Sequence, residues 1–180
     1  MTKKSEFRKI IRDQLVSLKH KKEKDHKIIQ TLNSLVFGKN NVLVYVADHL
    51  EVSLDTLLSA NPDTNFFFPR ISENQQMQFV LPLAWETGPF NISQPVCGET
   101  ILPEKADLCI IPALGYNKNG YRLGRGAGFY DKFLSNVIPA NIVGLTYEEL
   151  FPLSFPVDEH DIYAGTLITE KRIRQFSHKS

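Results

Sequence analysis

Phe7, Ile11, Leu15 and Leu18 recur at helical spacing in a segment otherwise rich in charge, so Thr2 to Leu18 is predicted as an amphipathic helix. Lys4, Arg8 and Arg12 stand i, i+4 apart and form a cationic stripe along the border of its apolar face. A second helix is predicted from Glu23 to Phe37, stopped by Gly38. The period then changes. Asn41 to Ala47 is a continuous β-branched run that reads as a strand buried on both faces. Leu54, Leu57 and Leu58 indicate a short helix before Phe66-Phe67-Phe68, and Met77 to Leu81 a further short strand. Leu108 to Pro112 and Ile142 to Thr146 are two more apolar strands, separated by a glycine-rich loop and an apolar-periodic helix, Phe129 to Ile138. Thr87 to Lys105, rich in Gly, Pro and polar residues, reads as one long loop.

Short buried strands alternating with helices predict a single α/β domain over residues 1–180. The expected architecture is three-layer α/β/α, a mostly parallel sheet with helices on both faces. In such a fold ligands sit in loops at the carboxyl ends of strands, and the long loop after Pro112 lies there. The 180 residues, 42% hydrophobic and 23% charged, suffice for one sizeable core. With 21 Lys plus Arg against 20 Asp plus Glu there is no global charge to draw the chain onto a nucleic acid or an anionic membrane. Any attraction for phosphate must therefore be local. Cys97 and Cys109 form no CxxC pair, and Cys109 lies within an apolar run, so neither disulfide nor zinc is indicated. No apolar stretch approaches the roughly 20 residues needed to cross a bilayer, and no apolar core follows the basic start. The expectation is a cytoplasmic monomer with neither nucleic-acid nor membrane partner.

Chemistry concentrates in Gly120-Tyr121-Arg122-Leu123-Gly124-Arg125-Gly126-Ala127-Gly128-Phe129-Tyr130-Asp131. Glycines at alternate positions remove the Cβ atoms that would keep backbone away from a ligand, and the N–H groups of a loop and helix start can then face an anion. Arg122 and Arg125 add planar forks able to grip phosphate oxygens in pairs, and the helix dipole reinforces them. The run is neither a GxGxxG fingerprint nor a Walker A sequence. Asp131, in the first turn of the predicted helix, would be a structural cap if it stood alone. Beside a phosphate site a carboxylate also suits Mg²⁺, with Asp161 of Glu159-His160-Asp161 as a second oxygen donor.

The run Arg122 to Asp131, followed by Phe133-Leu134, closely resembles the glycine-rich signature of 5-formyltetrahydrofolate cyclo-ligases, also called methenyltetrahydrofolate synthetases. The resemblance extends along nearly the whole chain: Lys4 and Arg8 at K-x-x-x-R spacing, Glu51 after the central strand, Phe90-Asn91-Ile92 with Gln94-Pro95, Pro112, and Glu159-x-Asp161. It implies conversion of 5-formyltetrahydrofolate to 5,10-methenyltetrahydrofolate with ATP as cosubstrate and Mg²⁺ as cofactor. The formyl oxygen would be phosphorylated, N10 would close on the activated carbon, and ADP and phosphate would be released. Carried over by position, Lys4, Arg8 and the run Arg122, Leu123, Gly124, Arg125, Gly126, Ala127, Gly128, Phe129 and Tyr130 resemble the ATP site. Val46, Glu51, Phe90 and the stretch Arg125 to Phe129 resemble the folate site, with or without a polyglutamate tail. Arg122, Arg125 and Tyr130 are the expected catalytic residues, and Asp131 and Asp161 the expected metal ligands. Departures from the common pattern are Asn117 for Asp, Ala127 for Gly or Lys, Phe129 for Tyr and Lys132 for Arg; Phe129 keeps a ring but loses a hydroxyl.

Two alternatives stay open on the residues alone: a non-catalytic paralogue that binds folate or nucleotide, and a phosphotransferase with another acceptor on a similar fold. Serine-nucleophile chemistry is not indicated, since no GxSxG elbow is present. Of the five histidines, His20, His26 and His178 lie in charged stretches, and only His49 and His160 stand near proposed sites.

Overall fold

The first two segments of the chain are both helical, and their apolar stripes explain where they dock. A computed structural model describes residues 4–72, 74, 76–88 and 91–177. Helix α1 (Lys4–Val16) buries Ile11 and Leu15, and α2 (Lys21–Val36) buries Ile28, Ile29, Leu32 and Val36. Strand β1 (Asn41–Leu43) follows, then α3 (Asp55–Ala60), β2 (Asn65–Ile71) and β3 (Met77–Val80). Strand β4 (Trp85–Thr87) forms a hairpin with β5 (Ser93–Pro95), and β5 and β6 (Thr100–Ile101) lie in the stretch Thr87 to Lys105 expected to be one loop. Next come β7 (Leu108–Ile111), a ribbon of β8 (Gly115–Tyr116) with β9 (Arg122–Leu123), α4 (Phe129–Phe133), β10 (Ile142–Leu145), β11 (Thr166–Ile168) and β12 (Ile173–Gln175).

Among the described residues one eight-stranded sheet runs in the order β12-β11-β10-β7-β1-β2-β3-β6. The five central strands, β11 through β2, are parallel to one another, and β12, β3 and β6 pair antiparallel at the two sides. The mostly parallel α/β class expected from the alternation of elements is the observed one. Side chains along each strand alternate between two cores, as the pleat requires. Val42, Val44, Phe66, Phe68, Leu108, Ile110, Val143 and Leu145 face α1, α2 and α3. Leu43, Phe67, Cys109, Ile111 and Ile142 face the other way, onto Phe79, Leu134 and Val137. The continuous apolar runs are therefore two half-buried patterns interleaved.

Two elements are much shorter than the sequence expectation. The strand predicted over Asn41 to Ala47 is assigned only as Asn41–Leu43, although Val44 N–H still donates to Phe67 C=O at 3.0 Å. Its ladder to β7 ends at Leu43 opposite Cys109, and the chain then leaves the sheet to wall a cavity. The helix predicted over Phe129 to Ile138 stops at Phe133. Ser135 Oγ donates to Lys132 C=O, a local bond that competes with helix continuation, and Pro139 disfavours helical geometry at Ile138. Leu134 and Val137 are nonetheless buried, so the apolar spacing marked contact with the sheet rather than helix length. Gly144 in β10 is demanded by packing. A Cβ there would lie 2.5 Å from the buried Tyr116 ring, which seats the β8–β9 ribbon against the sheet.

Candidate functional site

At the carboxyl ends of the central strands, side chains from several segments line a cavity of about 840 Å³. Helix α1 contributes Lys4 and Arg8; the loop after β1 contributes Val46, Asp48 and Glu51; the glycine-rich run contributes Arg122 through Asp131 without a gap. The segment after Phe155 adds Asp158, His160 and Asp161, and β5 adds Gln94. Every residue singled out from the sequence as a candidate binding, catalytic or metal-ligating group lines this one cavity, apart from Phe90, which lies outside the described residues.

The glycine-rich run is shaped by contacts with α1 and with its own arginine. Gly126 and Gly128 hold φ of 111° and 70°, values that side-chain-bearing residues rarely adopt. Arg8 Nε donates to Gly124 C=O at 2.8 Å, and a Cβ on Gly126 would lie 3.3 Å from the Arg8 guanidinium carbon. The first helix therefore packs directly on the loop. Because α4 has only five residues, few peptide dipoles are aligned and the loop's attraction for anions rests on side chains more than on a helix end. The dipole contribution expected from a ten-residue helix is correspondingly reduced.

Three ion-pair groups divide the charges of the cavity. Arg122 Nη2 meets Asp131 Oδ2 at 2.8 Å, with Asp131 Oδ1 accepting from Ile162 N–H at 3.4 Å. The Arg122 guanidinium lies 5.3 Å from the centre of the Tyr130 ring. Arg125 Nη2 meets Asp48 Oδ2 at 2.5 Å and Glu51 Oε1 at 3.0 Å. Lys4 Nζ bridges Asp158 Oδ2 at 2.7 Å and Asp161 Oδ2 at 2.6 Å. Arg8 makes no ion pair among the described residues, which leaves its charge uncompensated beside the loop. Arg122 Nε is buried without a hydrogen-bond partner, in a side chain only 6% exposed. An unpaired buried donor of this kind costs about 1–3 kcal/mol unless an acceptor arrives. It is the one such side-chain atom found among the described residues.

Proton affinities follow from these surroundings. Burial pushes the Glu51 carboxyl up, against the opposing pull of Arg125. Asp48 is lowered: burial works against ionisation, but the bond from Arg125 and the amides of Leu50 and Glu51 outweigh it. Lys4 is raised, the two carboxylates overcoming burial, which alone would lower it. Burial holds the Tyr130 phenol well above its usual range, so at neutral pH it keeps its proton and is not a base.

Asp158, His160 and Asp161 place one ligand atom each within 4.8 Å of one another. Asp131 is not in that group; it is turned to Arg122. The carboxylate oxygens are hard donors of the type Mg²⁺ takes, and a cationic ammonium already lies between two of them, so the residues fit such an ion. Asp48 and Asp158 were not anticipated. Each stands three positions before an anticipated acid, Glu51 and Asp161, and that spacing within a loop was the available signal.

Residues 1–170 match the sequence profile of the 5-formyltetrahydrofolate cyclo-ligase family. The chain is 32% identical over 112 residues to the 5-formyltetrahydrofolate cyclo-ligase of Mus musculus, which is 56% of this chain and 52% of that protein. It is 30% identical over 132 residues to the one from Mycolicibacterium smegmatis, 66% of each. The aligned stretches thus span about half to two thirds of these curated relatives. The NMR structure of the Aquifex aeolicus 5,10-methenyltetrahydrofolate synthetase is similar with a TM-score of 0.84 at 29% identity, covering 98% of this chain and 94% of that one. A synthetase from Mycoplasma pneumoniae shares the fold with a TM-score of 0.77 at 22% identity, covering 94% and 99%. With a profile match over 170 residues and a common fold over almost its whole length, the chain belongs to the 5-formyltetrahydrofolate cyclo-ligase family.

Proposed function

We propose that the protein converts 5-formyltetrahydrofolate to 5,10-methenyltetrahydrofolate at the cavity between α1, the β1–α3 loop and the glycine-rich run, consuming ATP as the family does. The observation that carries this reading is the convergence of Lys4, Arg8, Glu51 and the whole of Arg122 to Asp131 on one cavity, with an unsatisfied Arg122 Nε in its wall. An amide-like formyl oxygen is a poor leaving group. Its attack on the γ-phosphorus breaks the bond to the bridging oxygen and releases ADP; N10 then bonds to the formyl carbon, loses its proton, and phosphate departs with the former formyl oxygen.

Phosphoryl transfer asks of a protein mainly positioning and charge neutralisation. Lys4, Arg8, Arg122 and Arg125 are the cations placed for it, and the glycines let backbone approach the phosphates. Asp161, with Asp158 beside it, would hold Mg²⁺, and Asp131 would join them on leaving Arg122; the ion when bound neutralises phosphate charge. Glu51, buried, can accept N–H bonds from a pterin edge, with Val46 supplying apolar contact. Tyr130 supports the Arg122 guanidinium with its ring face. Phe90 retains its expected folate contact as a proposal resting on the resemblance alone. A cytoplasmic, monomeric protein remains part of this reading; among the described residues no helix is long and apolar enough to cross a membrane.

The test is formation of the methenyl product, followed by its absorbance, from 5-formyltetrahydrofolate with and without Mg-ATP. The expected outcome is product only with nucleotide, and a fall in turnover on the order of 100-fold or more in Arg125→Ala, the scale of losing one charge-stabilising donor. Binding of folate without product would favour the non-catalytic reading, and undiminished turnover in Arg125→Ala would remove the role given to the loop.

A further inference from the structure

The turn that carries Glu51 is anchored from below by three residues that take no part in the cavity lining. Lys21, at the start of α2, donates from Nζ to the backbone carbonyl of Glu51 at 2.6 Å and to Asp25 Oδ2 at 2.7 Å. Asp25, one helical turn further on, is buried and accepts through Oδ1 from the Tyr147 hydroxyl at 2.7 Å. Tyr147 follows β10 and is almost fully buried. Asp25 accepts from both sides, from Tyr147 and from Lys21, while Lys21 also donates to Glu51, and together these bonds join α2, the β1–α3 loop and the segment after β10.

These contacts leave Glu51 little freedom. Its N–H donates to Asp48 Oδ1 at 3.2 Å, its Oε2 accepts from Asp48 N–H at 3.1 Å, and its Oε1 meets Arg125 at 3.0 Å. The carbonyl is the remaining polar group of the residue, and Lys21 takes it. A largely buried ion pair contributes little net stability compared with apolar side chains of similar volume, so stability is a poor account of Lys21 and Asp25. What the pair does accomplish is to fix the backbone carbonyl of the same residue whose carboxylate faces the cavity. Displacement of a site group by about 1 Å is enough to lose much of its effect.

We propose that Lys21, held by Asp25 and Tyr147, is a positioning residue that sets the Glu51 carboxylate in the folate half of the cavity. The inference rests on the assignment of Glu51 to the folate made above. The experiment is steady-state kinetics with each substrate varied, on wild type, Lys21→Met, Lys21→Arg, Glu51→Gln and the Lys21→Met/Glu51→Gln double variant, with melting temperatures measured alongside. The expected result in Lys21→Met is a KM for 5-formyltetrahydrofolate raised about tenfold with the KM for ATP changed less than about twofold, the size of one lost charge-assisted hydrogen bond. Lys21→Arg should recover most of that loss. The double variant should be no worse than Glu51→Gln alone, because a residue acting through Glu51 has nothing left to position.

Independent, additive losses in the double variant would overturn the proposal. So would an unchanged folate KM in Lys21→Met while Glu51→Gln raises it. An unchanged folate KM in Glu51→Gln would instead remove the folate role of Glu51, and the purpose of the anchor with it. If Lys21→Met does not fold, Tyr147→Phe removes only the far hydroxyl and keeps the ring in the core. A rise of about two- to threefold confined to the folate KM supports the anchor, and no change refutes it.

Discussion

The guanidinium of Arg125 lies 2.5 Å from Asp48 and 3.0 Å from Glu51, so a phosphate that takes this arginine competes with two carboxylates. Asp48→Asn removes one competitor and one charge. The expected outcome is a KM for ATP lowered about two- to fivefold, with a smaller effect on folate, read from the same product assay; the size is that of a partly exposed ion pair. Away from the cavity, Glu148 takes a pair of bonds from Arg174, which lowers its carboxyl to about 2 against burial, with Thr169 assisting. A carboxyl depressed in the folded state stabilises fully above its ordinary value of 4.5 and loses that contribution as pH falls toward 2. Glu148→Gln should therefore lower the melting temperature at pH 7 and flatten its decline between pH 4.5 and 2, followed by circular dichroism. Asp48 shows why part of the site was not read beforehand. An acid three residues before another acid in a loop is ordinary surface chemistry until an arginine 77 positions away is folded against it.

At the scale of elements, β10 and α2 each carry a packing demand that one substitution exposes. Gly144→Ala would drive a methyl group to within 2.5 Å of the Tyr116 ring, and the ribbon that begins the glycine-rich run would have to shift. A loss of about 1–3 kcal/mol is expected in urea unfolding, with turnover falling as well because Arg122 lies on that ribbon. Leu32, on α2, is fully buried against the central strands; Leu32→Ala should lose about 2–5 kcal/mol in the same measurement with both KM values little changed. The apolar spacing of α2 made its buried face legible. The short α4 was not, since Leu134 and Val137 satisfy a helical spacing while the chain that bears them turns away after Phe133. Hydrophobic period reports which side chains meet the core, and only local backbone competition decides where a helix ends.

The whole molecule is a sheet whose two faces carry separate apolar clusters, with the cavity at one end of the parallel strands. Cys109 lies in the cluster facing α4, and burial pushes its thiol up to about 12, whereas Cys97 is exposed. A thiol reagent at pH 8 should therefore modify one cysteine of the native protein rapidly and the second only at the rate of unfolding, a direct reading of global opening. Binding of nucleotide and folate to the native state should slow that second reaction by mass action. The β4–β5 hairpin and the antiparallel β12 went unread because each is short and polar, and their pairing depends on a neighbouring strand edge rather than on apolar alternation.

The sequence by itself determined the α/β class, the faces of the two long helices, and the run from Arg122 to Asp131 with its family resemblance. These are properties of neighbouring residues, expressed in period and composition. Tertiary structure alone decided which donor faces which carboxylate: Lys4 meets Asp158 across 154 positions, Tyr147 meets Asp25 across 122, and Arg125 meets Asp48 across 77. Such pairings exist only once the parallel strands bring their carboxyl ends to one edge, so no local pattern could announce them.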